Sequence, residues 1–121
     1  LHLHAIGDER VFLIGDLVGV VSPLFGHYPK SGHLANRLGR IAAREIASRA
    51  NGRVPEPLLP DSVCHVFSDV DPMESIRIDA QYRLRGDGLI TQTTRQHNDP
   101  QPRGEDVEWA RTMYADFLSK D

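Results

Sequence analysis

Val11-Phe12-Leu13-Ile14-Gly15-Asp16, followed by Pro29-Lys30-Ser31-Gly32, is the stretch on which the fold turns. Its first four residues are apolar without alternation, the pattern of a strand covered on both faces, so a buried strand over residues 10–15 is expected. Asp8-Glu9 reads as the turn into it, and residues 1–7 as a short lead-in. Gly15 lets the backbone approach a neighbour closely. Asp16 stands at the strand's carboxyl end, where open α/β sheets bind ligands. Ser31 can cap the helix that follows, in which Leu34, Leu38, Ile41, Ala42 and Ile46 keep the 3.6-residue period. Ala35, Gly39, Ala43 and Ala47 form a small-residue stripe that permits close approach to a sheet or a cofactor. Asn51-Gly52 ends the helix with residues suited to left-handed backbone.

The loop over residues 17–30 is punctuated by Pro23, Gly26 and Pro29. Its Val18, Val20, Val21, Leu24 and Phe25 imply that it is covered, or covers something. Beyond the helix, Pro55, Pro57 and Pro60 make an extended linker, the best internal boundary in the chain. The pattern then turns to strands. Residues 63–67 form a short apolar run, and Ile76, Ile78, Ala80 and Tyr82 alternate with Arg77, Asp79, Gln81 and Arg83, giving one buried and one wet face. Gly86-Asp87-Gly88 is a turn, and residues 89–94 are a third strand of a small antiparallel meander. A loop over residues 96–104 leads to a last helix beginning near Glu105 and Asp106, whose charges favour its N-terminus. Val107, Ala110, Met113 or Tyr114, and Phe117 are its expected apolar face. The fold class is therefore α+β, with a first segment over residues 1–53 and a second over residues 54–121.

Composition narrows the function. The 121 residues are 40% hydrophobic, enough for an ordinary core. A net charge of -3, with basic residues scattered among acids, argues against a nucleic-acid surface. No apolar run approaches the ~20 residues that span a bilayer. The chain begins with Leu1 and shows no basic-then-apolar leader, so its true N-terminus is expected upstream. No Gly-x-Gly-x-x-Gly occurs in it.

Five residues could hold a cofactor. The Asp16 carboxylate can accept hydrogen bonds from the hydroxyls of a ribityl chain, although Gly15-Asp16 can equally be a plain turn. Lys30, with Ser31 and Gly32 at the helix start, would supply an ammonium and free N–H groups to the negative end of a reduced flavin; alternatively Lys30 is a solvated side chain beside a cap. Cys64, the only cysteine, is either a small buried hydrophobe, a free thiol, or the partner of a cysteine outside this segment. His65 points to the opposite face of an extended strand and is not automatically its base. His2 and His4 share a face if extended, but no third ligand is placed, so no metal site is expected.

Together these residues resemble a family. Ile14-Gly15-Asp16, Pro29-Lys30-Ser31-Gly32 with Ala35, Asn36, Gly39, Ala42 and Ala43, then Val63-Cys64-His65 and Ala80-Gln81-Tyr82-Arg83 stand in the order found in the flavoprotein subunit of flavocytochrome c sulfide dehydrogenase. That subunit belongs to the pyridine nucleotide-disulfide oxidoreductase superfamily, with sulfide:quinone oxidoreductases as more distant kin. The resemblance implies that the chain is the C-terminal piece of a two-dinucleotide-domain flavoprotein: a strand and long helix of the FAD domain, then a small sheet and terminal helix. It implies FAD as cofactor, held at Gly15 and Asp16 along the ribityl chain and at Lys30, Ser31 and Gly32 by the pyrimidine. Cys64 would be the catalytic residue, in a redox-active disulfide with a cysteine of the upstream half. It further implies oxidation of sulfide or a related sulfur compound, a c-type cytochrome as partner, and a periplasmic location. Two departures stand out: the loop between Asp16 and Pro29 is longer than the family's, and Met113-Tyr114 replaces an expected Trp-Tyr pair. Alone, the chain is expected to be inactive. The competing reading is a binding or homo-oligomerisation module that exposes the surface meeting the missing half.

Overall fold

The computed structural model describes residues 3–119. Two short strands, β1 (His4–Ala5) and β2 (Asp8–Phe12), pair antiparallel through an Ile6-Gly7 turn. The Asp8 carboxylate opens β2 by accepting hydrogen bonds from the Arg10 backbone N–H and guanidinium, each at 3.0 Å. A 3₁₀ turn over Gly15–Leu17 and the loop to Pro29 lead into helix α1 (Gly32–Ala50). Then come β3 (Asp61–Val70), β4 (Met73–Leu84) and β5 (Ile90–Asp99), in that order across one sheet, and helix α2 (Glu105–Leu118). Two residues join β3 to β4, a connection too short for anything but an antiparallel pair. The architecture is α+β, with two small antiparallel sheets and two helices.

The chain divides into two compact units. The first runs through Asp61 and takes in Gln81–Gln92; the second takes in Ser62–Ala80 and the chain from Thr93 on. In the first, Ser31 caps α1 by accepting from the Leu34 N–H at 3.3 Å, and Leu34 and Leu38 are each only 1% exposed. The helix closes as the sequence anticipates: the Arg53 N–H reaches the Ser48 carbonyl at 2.9 Å and the Gly52 N–H the Arg49 carbonyl at 3.0 Å, with Gly52 at φ +66°. This is the Schellman arrangement, which supplies donors to carbonyls the helix leaves unpaired. The loop after the 3₁₀ turn does cover something: Phe25 and Tyr28 pack on Tyr82, with ring centroids 5.4 and 4.7 Å away.

In the second unit, the alternation along β4 holds, with Ser75 and Ala80 buried and Arg77 exposed. Helix α2 has no fully buried residue. It is tied to β3 by its tryptophan, whose Nε1–H donates to the Val63 carbonyl at 3.1 Å while its ring lies 5.4 Å from that of His65.

Several local expectations are corrected. The strand expected over residues 10–15 starts at Asp8 and stops at Phe12, and its central residues are exposed rather than covered on both faces. Its strand partner is the two-residue β1, and no second layer of the described residues closes over it; Gly15, at φ +59°, turns the chain away. Ile46 of α1 is exposed, and Glu45 is buried in its place, its carboxylate accepting from Arg49 Nη2 at 2.5 Å. Strand β5 continues to Asp99, so residues 96–99 are not loop. The expected apolar face of α2 is largely solvent-exposed: Tyr114 is 67% and Phe117 51% accessible. Asp106, Trp109, Met113 and Asp116 lie on the more covered side.

Candidate functional site

The first unit draws together all five residues that the sequence nominated for cofactor contact. Gly15, Asp16, Lys30, Ser31 and Gly32, with Ile14 and Ala35, line one open cleft of about 410 Å³. One wall is the 3₁₀ turn and the other is the entry to α1. Two features of the sequence produce it. Gly15 takes positive φ, and a Cβ there would lie 3.1 Å from the Ala35 Cβ, so a side chain would clash as well as strain the backbone. The small-residue stripe of α1 is what the turn approaches: a Cβ at Gly39 would meet Ile14 Cδ1 at 3.6 Å. The stripe's lower members, Ala43 and Ala47, are exposed.

Lys30 has a structural duty in this cleft. Its ammonium donates to the Asp16 carbonyl at 2.9 Å and to the Val18 carbonyl at 2.8 Å, clamping the 3₁₀ turn to the helix entry. One of its three N–H donors remains for another acceptor. The Ser31 hydroxyl is occupied in capping, accepting from Leu34 N–H. The Gly32 N–H belongs to the first turn, among the amides that a helix leaves without an internal partner and that carry its positive dipole end. The Asp16 side chain is exposed at the cleft. An acceptor on one wall and N–H donors on the other fit a polyhydroxylated chain that ends in carbonyl oxygens. They therefore fit the ribityl and pyrimidine portion of a flavin.

Cys64 belongs to the second unit. It is a half-buried free thiol with Sγ 3.8 Å from the His65 carbonyl oxygen. The His65 ring stacks on Trp109, and its buried Nδ1 has no hydrogen-bond partner. Glu105, whose carboxyl is held below its usual range chiefly by its own and the Arg103 backbone N–H, also feels the His65 charge. The sequence reading missed Trp109; its being the only tryptophan was the available signal. It likewise missed the Phe25–Tyr28–Tyr82 cluster, whose members are too far apart in sequence for any local period to join them.

Of the metal-site histidines considered from sequence, His2 lies outside the described residues, and His4 Nδ1 sits 3.1 Å from the Ala5 carbonyl oxygen. Among the described residues no three His, Cys, Asp or Glu side chains gather as a metal site, and no helix is long and apolar enough to cross a membrane. In comparison with known proteins, the chain matches no family model and no curated sequence.

Proposed function

We propose that this chain is the C-terminal piece of an FAD-dependent oxidoreductase of the sulfide dehydrogenase kind. The observation that carries the reading is the convergence of Gly15, Asp16, Lys30, Ser31 and Gly32 on one cleft whose donors and acceptor suit a flavin's ribityl and pyrimidine groups. Bound FAD would supply two-electron chemistry and pass the electrons on singly to a c-type cytochrome. Asp16 binds the ribityl hydroxyls, Ser31 holds the helix entry in place, and the Gly32 amide faces the pyrimidine oxygen. Lys30 fixes the distance between the two walls and adds positive charge beside them. Cys64 pairs with a cysteine of the upstream half. Hydrosulfide attack on that disulfide forms an S–S bond to the substrate sulfur and releases one cysteine as thiolate. A protein of this kind would work in the periplasm.

The exposed apolar row on α2 favours one other reading, a binding or oligomerisation module without flavin. The absorption spectrum of the protein purified from its full reading frame separates the two. Stoichiometric flavin is expected, and Asp16→Ala should weaken its retention, each unsatisfied buried hydroxyl costing about 1–3 kcal/mol. Cys64→Ser should keep the flavin and lose its bleaching by sulfide. The 121-residue chain alone, which has no phosphate-cradling glycine loop, should purify colourless. A colourless full-length protein would overturn the flavin reading.

A further inference from the structure

The first unit contains a second concavity that shares no residue with the cleft at Asp16. It measures about 180 Å³, and nine of its ten lining residues are apolar, among them Val18, Val21, Leu38, Leu58 and Ile90. No charged side chain lines it, which excludes ions and phosphorylated ligands. The tenth lining residue is Tyr28, only 5% exposed and fixed by ring contacts to Phe25 at 6.0 Å and, edge-on, to Tyr82 at 4.7 Å. The two buried tyrosines differ in one respect. The Tyr82 hydroxyl accepts from Gln92 Nε2 at 3.2 Å, whereas the Tyr28 hydroxyl has no hydrogen-bond partner among the described residues.

A phenol hydroxyl buried to this degree is ordinarily satisfied, because leaving water without a new partner is costly. A lone water is a poor answer. It needs two to four polar partners, and the lining offers it a single polar side chain. Apolar cavities of comparable size, about 150 Å³, take up benzene. We propose that this cavity is a binding site for a small alicyclic or aromatic molecule carrying one acceptor oxygen, held by a hydrogen bond from the Tyr28 hydroxyl. The aliphatic walls contribute affinity through burial, and the hydroxyl selects for the oxygen. Burial pushes the Tyr28 hydroxyl up to about 12, so at neutral pH it is a donor. The inference is independent of the flavin reading and stands or falls without it.

Cyclohexanone and cyclohexane are suitable probes, titrated into the intact protein and followed by NMR chemical shifts and tyrosine difference absorbance. Both should give saturable shifts at residues of the cavity. Tyr28→Phe keeps the ring contacts and the fold. It should weaken cyclohexanone binding about tenfold, the effect of one net hydrogen bond, and leave cyclohexane binding unchanged. Absence of saturable binding by cyclohexanone to the unsubstituted protein would overturn the proposal. So would a Tyr28→Phe protein, folded as judged by circular dichroism, in which both probes change affinity equally.

Discussion

Helices α1 and α2 carry apolar rows of similar regularity, yet one row is buried and the other is not. In α1, Leu34, Leu38 and Ala42 are covered, and the helix has a side-chain cap at its start and a Schellman close at its end. In α2, Gly104 stands at the cap position without a side-chain bond, and Val107, Tyr114, Phe117 and Leu118 remain exposed. The more covered side is the one bearing Trp109 and Met113, roughly a quarter turn away at about 100° per residue. The physical difference lies in what each helix has to satisfy. α1 meets the apolar residues of its own unit. The orientation of α2 is fixed by a large indole whose N–H must find an acceptor, and the Val63 carbonyl provides it. A helical period identifies a row; it does not say which row is covered.

The contrast has consequences that denaturant unfolding can measure. Leu38→Ala should cost about 2–5 kcal/mol, as a large-to-small change in a closed site, whereas Phe117→Ala should fall within about 0.5 kcal/mol of the starting protein. Comparable losses at both positions would break the comparison.

The next effect is on pH. Burial raises the Tyr28 hydroxyl from 10.0 to about 12, with the nearby Tyr82 adding to the shift. Between those values the native state keeps a proton that the unfolded chain has released. The stabilisation is therefore intact below pH 10 and is lost as pH rises from about 10 through about 12. Unfolding midpoints across that window, read beside phenolate absorbance, should fall together. Tyr28→Phe should flatten the decline, and an unchanged slope would assign it to other groups.

The smallest effects concern the helix attachments. Ser31→Ala should cost about 1 kcal/mol through loss of the cap. Trp109→Phe should cost a similar amount, about 1 kcal/mol, through the Val63 carbonyl left without its donor. A cap loss well above the Trp109 loss would sharpen the view that α1 organises its unit while α2 is lightly held.

The sequence made much of the candidate site legible because its devices are local. Gly15 is needed where φ is positive, Ser31 where the first amides of α1 need an acceptor, and Asn51-Gly52 where the last carbonyls need donors. The stripe of Ala35 and Gly39 correctly announced a close approach, although the approaching group is the Ile14-Gly15 segment. The double bond of Lys30 to the Asp16 and Val18 carbonyls was not legible, because it depends on how a loop of more than ten residues returns on itself. The same holds for the Phe25–Tyr28–Tyr82 cluster, which joins residues from either side of α1.

By itself, then, the sequence determined the order of elements, the ends of α1, the wet and dry faces of β4 and the α+β class, because each follows from hydrogen bonding or periodicity within a few residues. Only the tertiary structure decided that Val11 and its neighbours are exposed, that Glu45 rather than Ile46 is buried, and that α2 turns Trp109 rather than Phe117 toward cover. Burial is a property of what lies opposite a residue, and a local pattern carries no information about its opposite number.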